Sequence, residues 1–355
     1  MSQKERRPRR SATQGRGHPA GRRCLVQPEG STWAGSPGQV VSDRGWAAVL
    51  LAGPLLPAGV ATHVSQDTGA WMPLLVAVVM LGLVIALLAG SPGARLRSAG
   101  LDALASARLR RALKRGEIEV FYQPIYQVQE CRVAGLEALV RWRRPSGGYA
   151  DPCTFIPVAE RTGAITQLDE YVLRRAIAEA CCWTSTGRLY VSVNLSATTL
   201  AKPRLAATID RILDETGLSA HLLQVEITES ALIDDLPGAV RQVAALRSRG
   251  VVVAMDDFGS GRASLNYLQH LPVDVVKLDR SLVTAAAVDD RSRRMLEGVI
   301  HMCDLLDLRV VGEGVELPEH LACLTEVGVG MAQGFLFGRP APIEEIRARL
   351  AGPAS

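Results

Sequence analysis

A chain of 355 residues, 48% hydrophobic and 21% charged, is long enough for two domains or for one large barrel with an appendage, and its core is ample. Its formal net charge of +4 is carried by one end: residues 1–44 hold nine Lys or Arg against three carboxylates, a local +6 that leaves −2 for the remainder. That distribution excludes a body built to bind a DNA or RNA polymer, and it fits either an arm lying near anionic lipid or a disordered leader rich in Arg, Gly, Pro and Ser.

Two apolar stretches follow this basic tail. Residues 45–62 are interrupted by Pro54 and Pro57, whereas residues 71–90 carry no charge and are about as long as a ~30 Å hydrocarbon core requires. Both are expected to be transmembrane helices of a membrane region at 45–90, with a single span over 71–90 as the alternative. The link from His63 to Ala70 has no Lys or Arg while both outer flanks are basic. By the positive-inside rule both termini then face the cytoplasm, which predicts a multi-pass protein of the inner membrane. From Arg95 to Lys114, leucines and alanines recur at near-helical spacing among arginines. This predicts a linker helix over 91–104 that runs into the folded part, taken as 105–350.

From Ile118 the pattern becomes strands alternating with helices. The strands are IEVFYQPI, AGLEALVRW, LYVSVNLS, LLQVEITES, VVVAMDD, DVVKLD, RVVGEGVE and QGFLF. Between them lie helical patterns over Asp169–Trp183, Leu205–Thr216, Pro237–Arg249, Asp289–Leu306 and Pro318–Val327. Eight strands with intervening helices in this length predict a (β/α)8 barrel. An open doubly wound sheet is the alternative, but no G-x-G-x-x-G follows the first strand.

The strands end in chemistry. Glu137, Asn194, Glu226, Asp256, Asp257, Lys277, Glu313 and Gln333 each stand in or just after an apolar run. A charge at the end of a buried strand costs several kcal/mol unless something pairs with it. In a barrel these ends meet on one face. Oxygen-only donors select hard divalent ions, Mg²⁺ or Mn²⁺, and the adjacent Asp256 and Asp257 suit a pair of them, the usual apparatus of phosphoester hydrolysis. Lys277 points to the same face by alternation; beside metals its amine is expected to lose its proton near neutral pH, or else to form a salt bridge with one of the carboxylates. Asp279 reads equally as structural or catalytic. Arg141 is placed to grip a phosphate. The seven cysteines form neither a disulfide framework nor a zinc cluster and read as buried thiols, and the six histidines lie away from these strand ends.

Taken together, YQPI (122–125), Glu137-Ala138-Leu139 with Val140-Arg141-Trp142, VNLS (193–196), EITES (226–230), DDFGSG (256–261), VKLD (276–279), GEGVE (312–316) and QGFLFGRP (333–340) resemble the EAL-domain phosphodiesterases of cyclic di-GMP. The resemblance covers about residues 105–350. It implies a TIM-type barrel with one antiparallel strand, usually a homodimer through the EAL domain, and a bacterial signalling enzyme that cuts one phosphodiester bond to give linear pGpG. It implies metal ligands at Glu137, Asn194, Glu226, Asp256, Asp257 and Glu313, two Mg²⁺ or Mn²⁺ per site, with Lys277, Glu313 and Glu137 catalytic. Gln123, Arg141 and Gln333 match positions that contact substrate, and Glu229 matches a glutamate that steadies the DDFGSG loop. Ser260, Arg262, Gly312, Leu317 and Phe335 stand where Thr, Tyr, Ala, Thr and Tyr are usual; none removes a ligand. The alternative function is a cyclic di-GMP receptor at the membrane, which binds without cutting, and a receptor of that type usually lacks one or more of these ligands.

Overall fold

The sheet closes on itself through the pairing of its first two strands, so the ring has no free edge. The computed structural model describes residues 76–80, 92–183, 189–228, 235–260 and 265–350. The strands are β1 (Ile118–Gln127), β2 (Arg132–Arg143), β3 (Tyr149–Ala150), β4 (Tyr190–Leu195), β5 (Leu223–Thr228), β6 (Val252–Phe258), β7 (Val275–Leu278), β8 (Arg309–Gly312) and β9 (Met331–Gln333). Their order is β1-β9-β8-β7-β6-β5-β4-β2-β3, and β1 also pairs with β2. The ring therefore holds eight strands, with the two-residue β3 added outside it on β2. β1 runs antiparallel to both β2 and β9, and the other neighbours in the ring are parallel. The expected barrel with one reversed strand is the observed architecture.

Among the described residues the helices are α1 (Pro92–Lys114), α2 (Pro152–Arg161), α3 (Ile165–Ala180), α4 (Ala197–Leu200), α5 (Leu205–Thr216), α6 (Leu236–Arg247), α7 (Leu265–His270), α8 (Arg280–Val288), α9 (Asp290–Leu305), α10 (Pro318–Glu326) and α11 (Ile343–Leu350). Their starts are written in the sequence. Asp235, Asp279 and Asp289 each accept a hydrogen bond from a backbone N–H of the first turn of α6, α8 and α9. Asp279 is thus a helix cap, which favours the structural reading of that residue. α5 ends at Gly217, whose φ of 75° lets its N–H reach Leu213 O.

The parallel strands are buried on both faces, against helices outside and against each other inside, and so they read as nearly continuous Val, Ile and Leu. Inside, the base of the barrel is filled by Ile125, Ala254, Val275, Val311 and Met331, with Tyr190 and Val252 packed against them. Gly135 faces the Tyr190 ring, and a Cβ at that position would lie 2.6 Å from it. The apolar base seals one end, and the polar residues of the same strands occupy the other.

Two expectations are corrected. The last strand is Met331–Gln333 and not QGFLF; the chain turns at Gly334 because that glycine lies against the backbone of Val315, where a Cβ would come within 2.1 Å of Val315 O. Helix α1 runs unbroken from Pro92 to Lys114 and packs on α2, as the near-helical spacing from Arg95 to Lys114 predicts. Cys303 and Cys323 are buried thiols, but Cys153 and Cys182 are exposed. Among the described residues no helix is long and apolar enough to cross a membrane. The stretches 45–62 and 71–90 lie outside the described residues except for a helical piece at 76–80.

Candidate active site

Period-two alternation puts Glu137 (β2), Asn194 (β4), Glu226 (β5), Asp256 (β6), Lys277 (β7) and Gln333 (β9) on the interior face, with Glu313 one residue past β8. Their side chains meet. Lys277 is 1% exposed, and its Nζ lies 2.5 Å from Glu226 Oε2, 2.7 Å from Glu313 Oε1, 3.2 Å from Asp256 Oδ1 and 3.6 Å from Glu137 Oε2. Glu137 accepts from Asn194 Nδ2 through Oε1 at 2.7 Å and from Gln333 Nε2 through Oε2 at 2.5 Å. Gln333 Nε2 also reaches Gln123 Oε1 at 3.2 Å, and Gln123 Nε2 donates to Gly338 O at 3.2 Å. Residues spread from 123 to 333 are thus joined in one network at the mouth.

Asp257 adopts φ 59°, a left-handed conformation uncommon for a non-glycine residue, where the pairing of β6 with β7 slips between Met255 and Phe258. The slip turns two successive carboxylates toward one region. One oxygen atom from each of Asp256, Asp257 and Glu313 can be chosen so that all lie within 4.8 Å of one another. Gly259, at φ 94°, follows with its α-carbon against Leu282.

The charge balance is unfavourable without cations. Among the described residues five carboxylates share one ammonium, and Asp256 Oδ1 is buried without a hydrogen-bond partner although Lys277 Nζ lies 3.2 Å away. Burial pushes the Glu226 carboxyl up to about 8 against the pull of Lys277, and pushes Glu313 well above the usual range. Burial also acts on Glu137, but Lys277 and the amides of Gln333 and Asn194 outweigh it and hold its carboxyl below the usual value. An all-oxygen donor set with an orphaned buried oxygen and surplus negative charge fits hard divalent cations.

Lys277 makes the salt bridge that is its alternative reading in the sequence. Burial alone would depress its amine, but Asp256, Glu137, Glu226 and Glu313 together hold it well above the ordinary lysine range. The carboxylates by themselves favour the ammonium and the multiple salt bridge.

Several contributors were not singled out in the sequence. Ser192 Oγ donates to Glu226 Oε1 at 2.6 Å, and Gln224 Nε2 donates to Ser192 Oγ at 2.9 Å and to the same Glu226 oxygen at 3.3 Å. Each stands two residues before a predicted site residue, so alternation alone places them on the inner face. Asp169 of α3 accepts from Ser196 N at 3.0 Å, Ser196 Oγ at 2.6 Å and Thr199 Oγ1 at 2.6 Å, and so fixes the turn after Asn194. Tyr122, fully buried beside Gln123, donates to Glu179 of α3 at 2.6 Å and anchors the reversed strand. Arg141 lies on the Glu137 face of β2, half-buried, with its guanidinium 5.7 Å from the centre of the Phe121 ring and Nη1 donating to Val140 O at 2.9 Å.

A family model described as "EAL domain" matches residues 106–340. The chain belongs to the EAL-domain family. The cyclic di-GMP phosphodiesterase NbdA of Pseudomonas aeruginosa is 41% identical over 237 residues, 66% of this chain and 30% of that protein. The bifunctional diguanylate cyclase/cyclic di-GMP phosphodiesterase MucR of the same species is 35% identical over 245 residues, 68% of this chain and 36% of that one. This chain therefore spans about a third of the length of these curated relatives. A solved structure of the MucR phosphodiesterase with cyclic di-GMP matches with a TM-score of 0.64 at 34% identity, covering 68% of this chain and 99% of that one. Within this EAL domain, Glu229 is the predicted site residue that lies outside the described residues.

Proposed function

We propose that this chain is a membrane-anchored phosphodiesterase that hydrolyses cyclic di-GMP to linear pGpG. The observation that carries the reading is the convergence of Glu137, Asn194, Glu226, Asp256, Asp257 and Glu313 around Lys277 at one mouth of the barrel. Support also comes from relatives that carry the phosphodiesterase name and from the solved EAL structure with cyclic di-GMP.

Glu137, Asn194, Glu226, Asp256, Asp257 and Glu313 would hold two Mg²⁺ or Mn²⁺ ions. Such ions, when bound, supply Lewis-acid stabilisation of phosphoryl oxygens and make a bound water acidic near neutral pH. The chain's own side chains do the rest. Arg141 and Gln123 hold the dinucleotide at the β1–β2 side of the mouth, with the Arg141 guanidinium on a phosphate. Gln333 Oε1, buried and without a hydrogen-bond partner among the described residues, is an open hydrogen-bond acceptor for a water O–H. Lys277 Nζ donates toward the same water and fixes its direction. Water adds to phosphorus, the bond from phosphorus to the 3′ oxygen breaks, and the proton that the water gives up ends on the leaving oxygen, giving one 5′ phosphate and one 3′ hydroxyl.

The uncharged stretch 71–90 and the basic flanks support an anchor in the inner membrane with the EAL domain in the cytoplasm. The remaining proposals are the basic tail 1–44 lying near lipid, the membrane region 45–90, Glu229 as support for the DDFGSG loop, and a homodimer through the EAL domain.

The test is incubation of the purified full chain with cyclic di-GMP and Mg²⁺, followed by chromatography. Appearance of pGpG that is lost with EDTA and with Glu137→Ala supports the enzyme; tight binding without turnover replaces it with a receptor. A reporter fused after Ser355 that is active only outside the cytoplasm overturns the topology.

A further inference from the structure

Where the chain leaves the barrel, it forms a lip over the mouth that is anchored on two sides. On one side Val315 N donates to Gln333 O and Leu336 N to Val315 O, both at 3.0 Å, so the turn is bound to the residues just past Glu313. On the other side Gly338 O accepts from Gln123 Nε2 at 3.2 Å. Between these anchors stands Phe335, 44% exposed. The next aromatic, Phe337, is packed instead against the core and stacks on Tyr126 at 4.7 Å. The Arg339 guanidinium sits 4.1 Å from the centre of the Phe335 ring.

A single exposed aromatic ring needs no explanation by itself. This one differs in its position and its backing. It lies two residues from Gln333, which binds Glu137, and its partner Arg339 lies one residue from Gly338, which binds Gln123. A cation against the ring draws on its electron density and holds the side chain in one place, which reduces the ordering needed when a flat, electron-rich ligand arrives.

We propose that Phe335, backed by Arg339, is the stacking plate for a purine base of the substrate. The inference rests on the reading of the site as one for cyclic di-GMP, and it assigns to the lip the recognition of a guanine, apart from the phosphate chemistry below. Stacking of a base on an aromatic side chain is worth about 5- to 150-fold in affinity.

The test compares Phe335→Ala, Phe335→Trp and the wild-type full chain on two substrates, cyclic di-GMP and its base-free cyclic diester, in which hydrogen replaces each guanine. Phe335→Ala is expected to raise the KM for cyclic di-GMP at least fivefold relative to that for the base-free diester, and Phe335→Trp to restore it. A parallel change in both KM values, or none in either, overturns the stacking role. A cyclic dinucleotide carrying 2-aminopurine, added with calcium in place of magnesium, separates this outcome from the function itself. Its fluorescence is expected to fall on binding to wild type and not with Phe335→Ala. If wild type makes no pGpG, the enzymatic reading falls while the quenching still decides the plate; quenching that is equal in wild type and Phe335→Ala overturns it.

Discussion

Gln333 Nε2 lies 2.5 Å from Glu137 Oε2, so the last strand of the ring touches the second across the reversed first one. An amide at this point is a neutral donor beside a carboxylate. Gln333→Glu sets a sixth carboxylate against Glu137 and is expected to lower the rate about a hundredfold, equivalent to ~3 kcal/mol, and to raise the Mg²⁺ concentration needed for turnover. Gln333→Ala, which only removes the donor, is expected to cost less. Initial rates of pGpG formation across a magnesium series check both, and equal losses in the two variants would exclude the charge effect.

Among the described residues Lys277 is the sole ammonium within reach of four of the site's carboxylates. Lys277→Met is expected to destabilise the chelated protein by about 3–5 kcal/mol, since the buried carboxylates lose their counter-charge. Magnesium is expected to recover much of the stability but none of the turnover. Calorimetry with EDTA and with Mg²⁺ measures this; a variant as stable as wild type in EDTA would count against the counter-charge role.

Stability without metal is expected to fall as pH rises from about 4.5 to about 8, because Glu226 retains its proton over that window in the folded chain while the unfolded chain loses it. The slope is about 1.4 kcal/mol per pH unit for that one group. Lys277, whose amine is raised above its ordinary value of 10.5, contributes stability that is constant throughout this window and is lost only at higher pH. Cations bind the ionised form and oppose the decline. Urea titrations at several pH values in EDTA and in Mg²⁺ test the sign; rising stability in EDTA would contradict the assignment.

Asp169 accepts three hydrogen bonds from the turn that follows Asn194. Asp169→Ala is expected to cost ~1–3 kcal/mol and to slow turnover as the end of β4 loosens, while Asp169→Asn, whose amide oxygen still accepts, is expected to retain more of both. Denaturant midpoints and rates on the same preparations check the pairing of the two effects.

Much of this was legible because carboxylates in apolar runs are conspicuous. Leu205–Thr216 coincides with its helix because leucine spacing opens it and Gly217 closes it. Ser192 and Gln224 escaped notice because small or neutral polar residues inside a strand carry no charge to mark them, although alternation assigns them the same face as Asn194 and Glu226. Tyr149–Ala150 is too short to show a period. The end of the last strand was misplaced because QGFLF has strand composition, and only the contact of Gly334 with Val315, eighteen positions upstream of Gln333, turns the chain away. That one strand is reversed follows from the resemblance, but that it is β1 is seen only in the pairing, because neither strand length nor alternation distinguishes direction.

That reversal decides which end of the barrel is leashed. Ile118 pairs with Trp142, at the catalytic end of β2, and Glu117 O receives Arg143 N at 2.8 Å. Helix α1 therefore delivers the chain at the rim where substrate enters, not at the apolar base, and any pull or twist applied ahead of Pro92 arrives first at the doorway and only afterwards at the foundations.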